Sequence, residues 1–128
     1  MDRNESVEKT GAIIHEAMKL HTAIGPGLLE SVYRTILAHE LRSAGFGVRT
    51  EVGVPVTYKG VALDHTFRID IMVDDEIIVE VKAVQAMLPM HKCQLLTYLR
   101  LSNRRVGLLI NFHECRLKDG IARVVNNW

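Results

Sequence analysis

The sequence predicts a single α/β domain, residues 1–128, in which helices flank a mixed central β-sheet. Two amphipathic helices open the chain, three strands follow, and a third helix separates these strands from two more. The hydrophobic content of 48% and the charged content of 24% are ordinary for a globular protein with one core. A formal net charge of +1 excludes binding of nucleic acid through overall basicity, so local charges would have to supply any such attraction.

The helices are predicted from apolar residues at helical spacing and from the Gly and Pro residues at their ends. The first helix, at about 5–24, has an apolar stripe formed by Ile13, Ala17, Leu20 and Ile24. Gly25-Pro26-Gly27 ends this helix, because proline disfavours helical geometry in the residue before it. A second helix at about 28–43 precedes a cap at Gly45, and a third at about 89–101 opens on a proline, which the first helical turn tolerates.

The strands are predicted from alternating apolar residues and from the turn residues between them. The predicted strands are Val48–Tyr58, Val61–Val73, Ile77–Val84, Arg105–Phe112 and Ile121–Val125. In the second strand, the apolar residues are predicted to share one face, with Asp70 pointing away from them. Tight turns are expected at Asp74-Asp75-Glu76 and, as a hairpin into the last strand, at Asp119-Gly120.

Asp70 and Glu80 are the most informative pair of residues in the chain. If the hairpin between their strands is centred on Asp75, Asp70 lies directly opposite Glu80. Facing carboxylates repel each other unless positive charge offsets them, and a hard divalent cation takes oxygen ligands. Lys82 lies two residues beyond Glu80 on the same strand face, beside such a cation. The pattern predicts a metal site, and a solvated sheet face with a salt bridge is the competing interpretation.

Further candidate residues lie on the helices, and each has a simpler explanation when it is taken alone. Glu30 is in the first turn of the second helix, where acidic residues interact favourably with the helix dipole. Gln94 and Tyr98 are four residues apart and share one face of the third helix. Gln94 could be solvated, and Tyr98 could be a core residue with its hydroxyl at the edge.

Several other classes of site are excluded because their motifs are absent. The six histidines lack zinc-ligand spacing, and neither a phosphate-binding Gly-rich loop nor a nucleophile elbow occurs. Cys93 and Cys115 are far apart, which favours reduced thiols. Since no apolar run is long enough to span a bilayer and no signal segment begins the chain, we expect a cytoplasmic protein without a membrane partner.

Taken together, these residues resemble a known family. Gly27-x-x-Glu30-x-x-Tyr33 is similar to the signature of the GxxExxY proteins, which belong to the PD-(D/E)xK nuclease-like superfamily with its restriction-endonuclease-like fold. The similarity covers residues of about 10 to 125 and continues through Tyr58-Lys59-Gly60, Arg68-Ile69-Asp70, Glu80-Val81-Lys82-Ala83, Gln94-Leu95-Leu96-Thr97-Tyr98-Leu99 and Gly107-Leu108-Leu109-Ile110-Asn111-Phe112. The proline of the superfamily name is absent here, as it commonly is among members.

The resemblance implies catalytic roles for six residues, which are Glu30, Asp70, Glu80, Lys82, Gln94 and Tyr98. Asp70 resembles the core aspartate of the superfamily, and Glu80 with Lys82 resembles its (D/E)xK element. The implied metal is Mg²⁺ or Mn²⁺, bound by Asp70, Glu80, the carbonyl of Val81 and Glu30. Gln94 and Tyr98 resemble supporting positions on the helix after the hairpin.

The resemblance therefore implies a metal-dependent nuclease that hydrolyses phosphodiester bonds in nucleic acid, in DNA rather than RNA. A homodimer, which is common among small enzymes on this fold, would widen the binding surface. Two alternatives stay open: a non-catalytic nucleic-acid-binding or assembly module that keeps the fold, and hydrolysis of another phosphodiester such as a nucleotide signal. Binding of divalent ions tests the first alternative, and a panel of substrates tests the second.

Overall fold

The computed structural model describes residues 1–128 and contains three α-helices, five β-strands and one short 3₁₀ helix. In chain order these elements are α1 (Arg3–Ile24), α2 (Glu30–Ser43), β1 (Val48–Tyr58), β2 (Val61–Val73), β3 (Ile77–Lys82), α3 (Pro89–Ser102), β4 (Val106–Asn111), the 3₁₀ helix (Leu117–Gly120) and β5 (Ile121–Val125). The predicted order of helices and strands is confirmed. None of the helices combines the length and the apolar character that crossing a membrane requires.

The strands form one five-stranded sheet in the order β1-β2-β3-β4-β5. The β1–β2, β2–β3 and β4–β5 pairs are antiparallel, whereas β3 and β4 are parallel. A parallel pair needs a long crossover connection, and α3 supplies it. The mixed sheet that the sequence predicted is therefore confirmed.

Helices cover both faces of this sheet. α1 and α2 pack on one face around a core of 17 buried residues, which includes Ile13 and Val81. α3 packs on the other face around six buried residues, which include Ile78. β3 and β4 lie in the middle of the sheet and are buried on both faces, which explains their nearly continuous apolar sequences. Glu80 in β3 and Asn111 in β4 are the buried polar residues within these two strands.

The alternation predicted for β2 is interrupted at Asp70. Ile69 packs on the α3 face, whereas Ile71 packs on the opposite face under α1 and α2. β1 is irregular at the same level, because Glu51, opposite Asp70, has a φ of 51°. That conformation is uncommon for a residue other than glycine. The prediction that the apolar residues of β2 share one face is therefore wrong, and Asp70 marks the change of face.

The turn between β2 and β3 is centred on Asp75, as predicted, because the residues on either side of the turn pair about this position. Asp74 and Asp75 both adopt left-handed conformations, with φ of 53° and 55°. Ion pairs stabilise this acidic turn: Lys9 contacts Asp74 at 3.0 Å, and Arg49 and Arg104 contact Asp75 at 2.9 Å and 2.8 Å. The turn sets the register of the hairpin that carries Asp70 and Glu80.

Further predictions about element ends differ from the structure, including β4, which is Val106–Asn111 rather than Arg105–Phe112, and α2, which begins at Glu30 rather than at about 28. Ile24 is 45% exposed, because it lies in the last turn of α1 beyond the core. β3 ends at Lys82 rather than at Val84. Asp119-Gly120 is not a hairpin turn, since both residues belong to the 3₁₀ helix that ends a longer connection from β4. β5 is nevertheless antiparallel to β4.

Candidate active site

The candidate active site lies where β2 and β3 separate. Ile71 and Val79 are the last paired residues of this hairpin, and Asp70 and Glu80 are the next residues on their strands. The predicted placement of Asp70 opposite Glu80 is confirmed, although the regular ladder has ended there. The Asp70 N–H lies 3.5 Å from Glu80 Oε1. The two carboxylates therefore occupy the space that opens between the strands.

The Asp70 carboxylate serves as a hydrogen-bond acceptor for β3 at the point where the ladder between β2 and β3 has ended. Its Oδ2 accepts a hydrogen bond from the Val81 N–H at 2.9 Å. Its Oδ1 faces α2, where the guanidinium of Arg34 lies 3.6 Å away. The Asp70 side chain is 18% exposed, so it is held by the protein on one side and is accessible from solvent.

Glu80 is the buried carboxylate of the protein, with 5% of its surface exposed. Burial raises the pKa of Glu80 to about 9, and the Asp70 charge and a side-chain hydrogen bond with Asp70 add to the increase. The charge of Lys82 acts in the opposite direction. In the protein alone, Glu80 therefore keeps a proton at neutral pH, and this proton relieves the repulsion that the sequence predicted.

The backbone around Lys82 is held by Asn111, a fully buried residue at the end of β4. The Asn111 amide donates to the Val84 carbonyl at 2.9 Å and accepts from the Val84 N–H at 3.0 Å. Lys82 itself accepts a backbone hydrogen bond from Phe112 at 2.9 Å. These bonds limit the positions that the Lys82 ammonium can reach. Asn111 was not predicted as a site residue, although a polar residue at the end of an apolar strand is a signal that the sequence offers.

Tyr98 connects α3 to the site. Its ring stacks on Phe67 of β2 with 4.4 Å between the ring centroids. Burial raises the pKa of the Tyr98 hydroxyl, and the negative charges of Glu80 and Asp70 raise it further. The hydroxyl therefore stays protonated and can donate a hydrogen bond. Gln94, one helical turn earlier, is exposed.

The Gly-Glu-Tyr motif shapes the loop that leads into α2. Gly25 and Gly27 have φ of 85° and 114°, conformations that favour glycine. The Tyr33 hydroxyl donates to the Gly25 carbonyl and accepts from the Leu28 N–H at 3.1 Å, so this side chain holds the loop closed. Glu30 is the first residue of α2 and is partly buried. The glycine and tyrosine of the motif thus have structural roles that place Glu30 at the start of the helix.

Arg34 is a charged residue beside the site that the sequence analysis missed. Its guanidinium lies 3.6 Å from Asp70 and 3.4 Å from the Glu51 carboxylate of β1. Arg34 follows Glu30 by four residues, so the two share one side of α2. This spacing was readable from the sequence, but nothing in the sequence indicated that β1 would bring Glu51 to the same place.

The oxygen atoms at this site suit a hard divalent cation. Asp70 and Glu80 face each other, and the raised pKa of Glu80 reflects how unfavourable their joint ionisation is without positive charge. A divalent cation in place of the proton would offset both charges, so the donor set fits such an ion. No group of three or more acidic, His or Cys side chains is arranged to hold a metal. The structure therefore does not bring Glu30 to the pair as a third direct ligand.

The site is distinct from the main cavity of the protein. That cavity, of about 540 Å³, lies between the start of α3 and the start of β5 and includes Lys92, Cys93 and Gly120 in its lining. Neither Asp70 nor Glu80 lines it. The candidate site is instead an opening between two diverging strands.

Comparison with known proteins identifies the family. The model of the PD-(D/E)XK nuclease superfamily matches residues 7–124, nearly the whole chain. The chain therefore belongs to the PD-(D/E)XK nuclease superfamily, and the superfamily predicted from the sequence is confirmed. The narrower assignment to the GxxExxY proteins is not tested by this match and stays a prediction.

A solved structure has the same fold. The protein is similar to the crystal structure of SSO0001, with a TM-score of 0.60 and 22% sequence identity. The match covers 77% of this chain and 51% of that chain, so the protein spans about half the length of its structural relative. At this identity the likeness concerns the fold alone, and it agrees with the restriction-endonuclease-like fold that was predicted. No match was found among curated proteins.

Proposed function

We propose that the protein is a Mg²⁺- or Mn²⁺-dependent nuclease that hydrolyses phosphodiester bonds in nucleic acid, and in DNA rather than RNA. The observation that carries this proposal is the facing pair of Asp70 and Glu80, with Lys82 on the same strand, where β2 and β3 separate. Membership of a superfamily whose members are generally nucleases supports the class of reaction.

Asp70, Glu80 and the carbonyl oxygen of Val81 would hold the cation, with Glu30 acting through a water molecule. Mg²⁺ suits two carboxylates, because it binds through one or two of them and keeps several waters. When bound, the cation polarises the scissile phosphate and lowers the pKa of the attacking water. Asp70 is already oriented for this role by its hydrogen bond from the Val81 N–H.

The remaining residues position the substrate and stabilise charge. Lys82 is close enough for its charge to act on Glu80. Its ammonium orients the attacking water, and it offsets negative charge on the phosphate oxygens in the transition state. The protonated hydroxyl of Tyr98 donates a hydrogen bond to the substrate. Gln94, exposed on the same side of α3, contacts the substrate further from the cleaved bond.

The shape of the site favours a polymer over a free nucleotide. Small ligands usually bind in concave pockets that enclose most of their surface. The carboxylate pair lies at an open divergence of two strands, while the main cavity, of about 540 Å³, is lined by other residues. A homodimer would extend the surface that a nucleic acid contacts, and sedimentation velocity with and without a duplex tests this part of the proposal.

The proposal is tested with Asp70→Asn and Lys82→Met. Wild type and variants are incubated with single- and double-stranded DNA, RNA and a cyclic dinucleotide, in Mg²⁺, in Mn²⁺ or in EDTA. We expect cleavage of DNA by the wild type only with metal, and a loss of at least about 100-fold in each variant, because each removes a group that acts on the transition state. The control is Lys118→Met, which removes an exposed ammonium near the start of β5.

Each outcome of this experiment discriminates between functions. Cleavage of the cyclic dinucleotide alone would support the nucleotide-signal alternative. Calorimetric binding of nucleic acid without any cleavage would support the non-catalytic module. Variants that cleave as fast as the wild type would contradict the assignment of Asp70 and Lys82.

A further inference from the structure

Arg34 lies between two carboxylates on the α2 side of the candidate site. Its Nη1 is 3.6 Å from Asp70 Oδ1, and its Nη2 is 3.4 Å from Glu51 Oε1. The Arg34 side chain is 21% exposed, so its guanidinium is partly desolvated but accessible. The neighbouring Arg68 lies 3.7 Å from the same Glu51 oxygen. The site thus has a positive charge beside Asp70 in addition to Lys82.

The guanidinium of Arg34 has hydrogen-bonding capacity to spare. It makes a long hydrogen bond to Glu51 at 3.4 Å, and its distance to Asp70 exceeds hydrogen-bonding range. By contrast, Arg49 and Arg104 hold the carboxylate of Asp75 at 2.9 Å and 2.8 Å. An arginine presents five N–H donors in a fork that matches the oxygens of a phosphate. Most of the Arg34 donors are therefore free for a ligand.

There is room for an anionic group beside this guanidinium. A polar cavity of about 120 Å³ lies between α2 and β1, and Arg34, Arg42, Thr50 and Glu51 are among its lining residues. Glu51 has a φ of 51°, and this irregularity of β1 lies opposite Asp70. Arg34 therefore lines this cavity together with Glu51 and also lies 3.6 Å from Asp70 of the carboxylate pair.

We propose that Arg34 binds a phosphate of the nucleic-acid substrate next to the cleaved bond, and that Glu51 positions its guanidinium when no substrate is present. This inference rests on the proposed nuclease function and adds a substrate-binding residue to it. Arg34 has two opposing effects at the site: it attracts phosphate, and it weakens binding of a divalent cation at Asp70 through like-charge repulsion. Removing Arg34 should therefore weaken the binding of nucleic acid and strengthen the binding of Mg²⁺.

The experiment measures these two effects separately. Binding of a fluorescein-labelled DNA duplex is followed by anisotropy in Mg²⁺ at several NaCl concentrations, in a Lys82→Met background that prevents cleavage. Arg34→Ala should lower the affinity roughly tenfold or more and reduce the slope of log affinity against log salt by about one. Arg34→Lys should keep the slope and lose part of the affinity, because lysine lacks the planar fork. Arg116→Ala, at an exposed position before the 3₁₀ helix, is the matched control.

Binding of Mg²⁺ is measured by calorimetry without nucleic acid, on the same variants with Lys82 intact. Arg34→Ala should bind Mg²⁺ more tightly than the wild type, an effect opposite to that on DNA and not expected from a merely structural role. Unchanged DNA affinity and salt slope in Arg34→Ala, or Mg²⁺ binding in Arg34→Ala that is no tighter than in the wild type, would overturn the inference. If the Lys82→Met parent binds no duplex and the wild type cleaves none, the proposed function fails together with the inference. If the parent binds and Arg34→Ala binds equally well, only the inference fails.

Discussion

Replacing Glu80 by glutamine should stabilise the metal-free protein at neutral and alkaline pH and should change its stability little at pH 4. Glu80 is 5% exposed and faces Asp70, and burial raises its pKa from 4.5 to about 9. Glutamine keeps a donor that can bond the Asp70 carboxylate, as the protonated acid does, but it has no proton to lose.

The magnitude follows from the difference in proton binding between the folded and unfolded states. Below pH 4.5 the Glu80 carboxyl is protonated in both states, so it costs the folded protein nothing. Between that pH and about 9, the unfolded chain releases the proton while the folded protein keeps it, so stability falls as pH rises. With about 1.4 kcal/mol per pH unit, the loss at pH 7 is about 3 kcal/mol. Glu80→Gln removes this loss.

The assay is urea unfolding of wild type and Glu80→Gln in EDTA at several pH values from 4 to 9. Only the difference between the two proteins is used, because other carboxyl groups titrate in both. The control is Glu8→Gln, which replaces an exposed carboxylate on α1. A difference that does not change with pH, or a variant that is less stable throughout, would refute the reasoning that burial beside Asp70 keeps Glu80 protonated.

Two further predictions concern residues that support the site. Asn111→Ala should lower the free energy of unfolding by about 2 kcal/mol, since it leaves the partly buried backbone N–H and carbonyl of Val84 without partners. Urea unfolding against the exposed control Asn4→Ala measures this effect, and an equal effect in both variants would contradict the prediction. Tyr33→Phe should keep the ring stacked on Phe112 but lower the free energy of unfolding by about 1 kcal/mol, because the Gly25–Leu28 loop loses the bridging hydroxyl. Thermal unfolding checks the sign of this effect, with Tyr58→Phe, whose side chain is exposed, as the control.

Most of the order of helices and strands could be predicted, because it depends on residues that lie close together in the sequence. Helical spacing and a Gly-Pro-Gly stop placed α1 and α2, and the acidic turn centred on Asp75 set the register that brings Asp70 opposite Glu80. The same local reasoning failed where a strand is irregular. Alternation in β2 predicted one buried face, but the irregularity at Glu51 in the neighbouring strand accompanies a change of face at Asp70.

The sequence by itself determined the order of the elements and the facing pair of carboxylates, because these depend on local spacing and on one turn. The superfamily was indicated by the resemblance of its motifs to those of a known family. Only the tertiary structure decided how the pair is surrounded. Glu80 is buried because the sheet is covered by helices on both faces, and this burial raises its pKa. Arg34 reaches Asp70 and Glu51 because α2 packs beside β1 and β2, the strands that carry these two residues. Such contacts join residues far apart in the chain, so their distances follow from the packing of whole elements and not from any local pattern.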